Sequence, residues 1–249
     1  MRKFGLIGNP IRHSWSKQFF DDIFSGENIE DCEYLEFQME SVERLRDFIQ
    51  GEPFLEGLNI TIPFKISVMD VLDVIDPGAG QTGAVNCIKI IRDYGRLILK
   101  GYNTDMSAFK STLTRFDNIS GKKAMVLGTG GASRAVCQAL RELHVPYVLV
   151  SVRGDKGTMR YADIDREKMQ ECHLIINATP AGMWPDIDES PELPYKYLTK
   201  DHLLYDLVYN PEMTCFLKEG QKAGAWIKNG LEMLYLQAVM SWKIWNNVE

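Results

Sequence analysis

The run Ala124-Met125-Val126-Leu127-Gly128-Thr129-Gly130-Gly131-Ala132-Ser133 carries an apolar segment straight into a glycine-rich turn. A strand buried on both faces reads as such an unbroken apolar run, and glycines directly after it let the backbone close on a ligand. Ala132 to Leu143 then has the composition of a helix, and Tyr147-Val148-Leu149-Val150-Ser151-Val152 supplies a second strand. Strand, glycine turn, helix and strand in this order form the unit that seats a dinucleotide pyrophosphate on a helix N-terminus. Ser133 takes the place of the last glycine of a strict Gly-x-Gly-x-x-Gly. Gly128, Thr129, Gly130, Gly131 and Ala132 are the candidate cofactor loop.

The end of the second strand discriminates between cofactors. An NAD site carries Asp or Glu there to accept from the ribose 2′-hydroxyl. Here Ser151-Val152-Arg153-Gly154 offers Arg153, with Lys156 and Arg160 nearby, which favours the 2′-phosphate of NADP. An exposed loop arginine beside Asp155 is the plainer alternative. Downstream, Leu174–Asn177, Leu203–Leu207 and Ala225–Ile227 read as short strands, with helices near 131–143 and 211–223. Asn177-Ala178-Thr179 and Asp206-Leu207 fall at strand ends, where open α/β sheets bind ligands.

Upstream, Phe4–Gly8, Tyr34–Phe37, Leu58–Ile62 and Ala84–Ile91 are apolar runs of strand length, separated by expected helices near 16–25, 41–50 and 65–75. That is βαβ grammar. In Asn59-Ile60-Thr61-Ile62-Pro63-Phe64-Lys65, polar and apolar residues alternate, which on an extended strand places Asn59, Thr61 and Lys65 on one face. A carboxylate brought to that lysine, for which Asp105 in Asn103-Thr104-Asp105 is the candidate, makes a proton-transfer pair. Without it, Lys65 is an exposed lysine and Asp105 a capping residue. Ser14-Trp15-Ser16 presents two hydroxyls fit to grip a carboxylate, or else starts a helix. Leu231 to Asn247 reads as a terminal helix, with Gly230, Leu234 and Gln237 on one stripe. It is expected to return to the first domain, giving domains 1–101 with 230–249 and 102–229.

The 249 residues carry a formal net charge of -6 with scattered basic residues, which argues against nucleic acid as partner. The five cysteines are odd in number, widely spaced and without a Cys-x-x-Cys pair, as suits reduced thiols. His13, His144, His173 and His202 lack metal-ligand spacing, so no metal is expected. The first residues have too short an apolar stretch for a signal peptide and no run reaches membrane-spanning length, so a cytoplasmic protein is expected.

Together these motifs, from Gly5 to Gln237, resemble the shikimate dehydrogenase family. The matches run in order: Gly8-Asn9-Pro10 with Ser14-x-Ser16; Asn59-x-Thr61-x-Pro63-Phe64-Lys65; Gly83-Ala84-Val85-Asn86; Asn103-Thr104-Asp105; the glycine loop with Arg134-Ala135; Asn177-Ala178-Thr179; Tyr209-Asn210-Pro211; and Gly230 to Gln237. The resemblance implies an N-terminal α/β substrate domain, a Rossmann-like NADP domain and a cleft between them. It implies Lys65 and Asp105 as catalytic pair, Ser14 and Ser16 on the substrate carboxylate, and Asn59, Thr61, Asn86, Tyr209 and Gln237 on the carboxylate or ring hydroxyls. Thr179, Leu207 and Gly230 join the glycine loop and Arg153 on the cofactor side. The implied reaction is the NADP-dependent, reversible reduction of 3-dehydroshikimate to shikimate, in the biosynthesis of chorismate and the aromatic amino acids, by a monomer or homodimer. The rivals are a dual quinate/shikimate dehydrogenase using NAD and a ligand-sensing homologue without chemistry. Lys17, Cys87 and Met106 depart from the family's usual proline, threonine and glycine, and Val152-Arg153-Gly154 stands where many members read Asn-Arg-Thr.

Overall fold

The computed structural model describes residues 1–11, 15–116, 121–154 and 157–248. The chain divides into two compact units, Met1–Thr104 with Gln237–Glu249 and Asp105–Leu236.

The first unit is built on a six-stranded sheet. In chain order it contains β1 (Arg2–Gly8), α1 (Trp15–Gly26), β2 (Cys32–Gln38), α2 (Leu45–Gly51), β3 (Leu55–Ile60), β4 (Val74–Ile75), α3 (Pro77–Thr82), β5 (Cys87–Asp93) and β6 (Arg96–Tyr102). The strand order is β2-β1-β3-β5-β6-β4, with β1 parallel to β2 and β3, and β5 antiparallel to both β3 and β6. Period-two alternation sorts the strands onto two cores. Ile7, Leu58 and Ile60 join Leu45 and Ile49 of α2 on one face, while Phe4, Leu6 and Tyr34 join Phe20 and Phe24 of α1 on the other.

This sheet is less regular than βαβ grammar predicts. Asp93-Tyr94-Gly95-Arg96 turns β5 directly into β6, with Tyr94 at φ 45° and Gly95 at φ 79°. Two central residues at positive φ are what a tight hairpin matched to strand twist requires. The expected helix at 65–75 is only a 3-10 segment, Ser67–Val71. The Asp73 carboxylate, accepting from the Leu99 amide at 2.7 Å and paired with Arg46, draws the chain to the sheet edge, where β4 pairs with β6. β3 also ends at Ile60, short of Lys65. Pro63 has no N–H for a ladder, and the chain turns instead, the Phe64 amide donating to the Thr61 carbonyl at 3.0 Å. Lys65 therefore does not share an extended face with Asn59.

The second unit opens with α4 (Thr104–Leu113) and continues through β7 (Ala124–Leu127), α5 (Gly131–Glu142), β8 (Tyr147–Ser151), β9 (Met159–Arg160), α6 (Arg166–Glu171), β10 (Leu174–Asn177), β11 (Leu203–Asp206), α7 (Cys215–Lys222), β12 (Trp226–Lys228) and α8 (Leu231–Trp245). The sheet order is β12-β11-β10-β7-β8-β9, and every neighbouring pair is parallel. Numbered within the unit, this is the order 3-2-1-4-5-6 of a doubly wound dinucleotide fold. The winding reverses between β7 and β10, both buried along their whole length. Sequence reading omitted α6, although Asp165 caps it by accepting from the Lys168 amide at 2.9 Å.

The last turns of α8 belong to the first unit, where Trp245 packs against Gly57 of β3. A Cβ on Gly57 would lie 2.4 Å from the indole, so only glycine admits it. The indole N–H donates to the Ile88 carbonyl at 3.0 Å, and the ring stacks on Phe4 at 4.9 Å. Such aromatic pairs add about 0.5–1.5 kcal/mol beyond the area they bury.

Candidate functional site

Several polar side chains of the first unit meet inside it. Asn59 points to the same face of β3 as Gly57, towards α8, and is 4% exposed. Its Oδ1 accepts from the Tyr34 hydroxyl at 2.9 Å, and its Nδ2 donates to Ser241 Oγ at 2.9 Å and to the Asn86 carbonyl at 3.3 Å. Both N–H groups of Asn59 are thus engaged within the unit. The alternation that singled out this residue marked the face covered by the terminal helix. Ser16 lies on α1 and hydrogen-bonds the Tyr34 phenol, which burial holds well above its usual titration range. Ser14 lies outside the described residues.

Lys65 is half-buried in the turn after β3, and its carbonyl accepts from the Val85 amide at 2.7 Å. The same short loop, Gly83-Ala84-Val85-Asn86, receives the Asn103 amide on the Ala84 carbonyl at 2.8 Å. Asn86 Oδ1 accepts from the Thr104 amide at 2.7 Å while its Nδ2 donates to Thr104 Oγ1 at 2.9 Å. One loop thus fixes the backbone of Lys65 and the residue before Asp105. Asp105 follows in the first turn of α4 and is buried, at an end where the helix dipole favours a carboxylate. Thr61 is tied to β1 by donation from its amide to the Ile7 carbonyl at 2.9 Å, and Gln237 is buried on α8.

In the second unit the polar loops flank the reversal of the sheet. Gly128 adopts φ +102°, and a Cβ there would lie 3.0 Å from Thr179 Cγ2 and 3.1 Å from the Ala178 carbonyl. The turn after β7 therefore rests on the turn after β10. Ser133 donates to the Gly128 carbonyl at 2.6 Å, so the residue that breaks the glycine pattern braces the loop. Gly130 caps α5 without a side-chain hydrogen bond, and open space surrounds the position of its missing Cβ. An uncapped helix N-terminus facing open space fits a dinucleotide pyrophosphate. Thr129 is exposed and Gly131 and Ala132 half-buried around it.

Arg153 is exposed in the turn beyond β8, whereas the guanidinium of Arg160 is held by Asp163 at 3.1 Å. Lys156 lies outside the described residues. Leu207 donates to the Asn177 carbonyl at 2.9 Å, and Gly230 presses so closely on Leu207 that a Cβ would sit 2.1 Å from its carbonyl oxygen. Tyr209 is half-buried, and burial raises its phenol pKa.

Asp206, which the sequence marks only as a strand-end residue, lies at the end of β11. Its carboxylate accepts from Asn177 Nδ2 at 2.9 Å, Thr214 Oγ1 at 2.6 Å and the Val208 amide at 3.0 Å. Burial pushes its pKa up to about 6 despite those donors. Asn177 in turn receives the hydroxyl of Thr179 at 2.6 Å, so one carboxylate holds both strand-end loops. Nothing in the sequence around Tyr34 or Ser241 marks either hydroxyl as part of a polar interior. No group among the described residues gathers side chains able to hold a metal, and none of their helices is long and apolar enough to cross a membrane.

Residues 6–88 match the family model of the shikimate dehydrogenase substrate binding domain. Across 98% of this chain and 91% of its own length, a shikimate dehydrogenase (NADP(+)) of Methanococcus maripaludis is 38% identical. The crystal structure of shikimate dehydrogenase 1 from Peptoclostridium difficile superposes with a TM-score of 0.85 at 33% identity, covering 100% of this chain and 93% of that one. Shikimate 5-dehydrogenase from Thermus thermophilus, solved with NADP(H) and shikimate, gives a TM-score of 0.85 at 30% identity, covering 100% and 94%. At these identities over nearly the whole length, the likenesses show that the chain belongs to the shikimate dehydrogenase family.

Proposed function

We propose that this protein catalyses the NADP-dependent, reversible reduction of 3-dehydroshikimate to shikimate, the step its family performs towards chorismate. The observation that carries this reading is the single loop, 83–86, that braces both Lys65 and the start of the helix bearing Asp105. A hydroxyl formed from a carbonyl must gain a proton, and the reverse reaction must remove it. Lys65 and Asp105 are assigned that proton movement as a pair. Ser14 and Ser16 would hold the substrate carboxylate, and Asn59, Thr61, Asn86, Tyr209 and Gln237 would address the carboxylate or the ring hydroxyls.

On the cofactor side, Gly128 to Ala132 would carry the pyrophosphate and Arg153 the 2′-phosphate. Thr179, Leu207 and Gly230 would form a wall of small groups and backbone. When bound, the nicotinamide supplies or accepts the hydride. The reduced cysteines Cys32, Cys87, Cys137, Cys172 and Cys215, none joined in a disulfide, support a cytoplasmic location.

The test crosses NADPH and NADH with 3-dehydroshikimate and 3-dehydroquinate, in the parent and in Arg153→Ala. The expected optimum is NADPH with 3-dehydroshikimate. A charge-assisted contact worth about 1.5–3 kcal/mol makes the substitution raise KM for NADPH by roughly ten- to a hundredfold, with little effect on NADH. Preference for NADH with the quinate-series substrate would install the dual-specificity rival, and an inactive parent the ligand-sensing one.

A further inference from the structure

The hydroxyls of Tyr34 and Ser241 have no assigned part in the chemistry, yet they occupy the centre of the first unit's polar interior. Ser241 Oγ accepts from Asn59 Nδ2 at 2.9 Å, donates to the Gln237 carbonyl at 2.9 Å and lies 3.4 Å from Thr104 Oγ1. A hydroxyl has one proton and two acceptor positions, so with its proton on Gln237 it receives from both Asn59 and Thr104. Thr104 Oγ1, having given its proton to Ser241, is then the acceptor that Asn86 Nδ2 requires. The remaining end is equally directed, since Ser16 hydrogen-bonds Tyr34 and Tyr34 donates to Asn59 Oδ1.

Donation therefore converges on Ser241 from both ends, from Ser16 through Tyr34 and Asn59 and from Asn86 through Thr104, and leaves through the Gln237 carbonyl. This pattern sets the orientation of the Asn86 amide, which in turn fixes the first residue of α4. Ser241 and Asn59 are at most 4% exposed, so no water can replace a lost partner without rearrangement.

We propose that Tyr34 and Ser241 are positioning residues for the proposed dehydrogenase reaction, acting through Asn59, Thr104 and Asn86 without touching substrate. The proposal rests on the dehydrogenase reading above. Removing the Ser241 hydroxyl leaves an N–H of Asn59 and the O–H of Thr104 unsatisfied, frees Asn86 to rotate, and loosens the start of the helix that carries Asp105. Removing the Tyr34 hydroxyl leaves Asn59 Oδ1 without its donor but keeps the ring stacked on Phe20 at 4.4 Å.

The experiment measures kcat, both KM values and thermal stability for the parent, Ser241→Ala, Ser241→Thr, Tyr34→Phe and the double variant Tyr34→Phe/Ser241→Ala. Ile49→Val, a truncation in the opposite core, serves as stability control. Since small displacements of a reacting group are costly, each single hydroxyl deletion is expected to lower kcat roughly tenfold. KM for NADPH should stay within about twofold in these variants because the cofactor loop belongs to the other unit. Ser241→Thr, which keeps the hydroxyl, should recover most of the turnover, and the double variant should lose less than the product of the single losses.

Unchanged kcat in both single deletions overturns the proposal, whatever their melting temperatures. So does an equal loss of kcat in Ile49→Val, which would make the effect one of general stability. Should Ser241→Ala fail to fold, Tyr34→Phe alone decides on the same criteria. An inactive parent is a separate outcome that overturns the dehydrogenase reading itself and this proposal with it.

Discussion

The two units solve the problem of holding a polar ligand site in opposite ways. In the second, the strand-end loops approach through main chain: Gly128 rests on the Ala178-Thr179 turn and Gly230 on the Leu207 carbonyl, leaving the α5 N-terminus uncapped. In the first, side chains do the holding, and Tyr34, Asn59, Asn86, Thr104 and Ser241 form one hydrogen-bonded set. An all-parallel sheet brings its loops to one edge, so close backbone contact at the reversal suffices. A mixed sheet interrupted by a hairpin does not, and its site residues need an internal frame. The first unit should consequently be vulnerable to loss of polar atoms and the second to gain of any atom.

The largest effect is expected at Lys65, in the first unit. Lys65→Ala should lower kcat by a factor of roughly 10² to 10⁴, the usual contribution of an acid-base group, while shikimate affinity measured by calorimetry stays within about tenfold. Near-parental turnover would remove Lys65 from the chemistry. Gly230→Ala tests the second unit by adding a single methyl. With that methyl 2.1 Å from backbone oxygen, the chain must move, and overpacking of this kind should destabilise by about 3 kcal/mol. Chemical denaturation with an unchanged midpoint would show that backbone proximity there is not limiting.

The smallest effect sharpens the contrast, because Asp206 is the buried carboxylate of the unit that otherwise relies on main chain. Its folded pKa, about 6, is raised above the ordinary value of 3.8, so the folded state retains a proton that the unfolded chain gives up. That contribution to stability is complete below about pH 4 and is lost as pH rises through about 6. Asp206→Asn cannot titrate. Unfolding free energies at pH 4 and pH 7 should shift in favour of the variant by about 2–3 kcal/mol, following from some two units at about 1.4 kcal/mol each. A difference independent of pH would mean that the carboxylate titrates normally.

The second unit was the more legible in the sequence because its strands are apolar throughout and its punctuation is glycine. Leu174–Asn177 was placed to the residue, and β7 and β8 within one residue at either end. The first unit hid its hairpin, since Asp93-Tyr94-Gly95 supplies positive-φ backbone through a tyrosine that carries no turn preference of its own. At Asn59 the alternation marks a face without marking what covers it. The cover is α8, whose Ser241 lies 182 residues away along the chain, and no local pattern reports a contact of that range.

The indole of Trp245 seated on Gly57 has a further meaning for the order in which this molecule assembles. Synthesis produces the first sheet early, yet the face that α1 covers in part is completed only when residues near 245 are made. Trp245 and Ile88, joined by a hydrogen bond, are 157 positions apart. Closing a loop of that length must await the intervening chain, whereas the contacts of the second sheet lie within Asp105–Leu236. Domains ordinarily mature from the N-terminus during translation. Here the second unit can finish first, and the first unit, with its interior polar frame, is completed last.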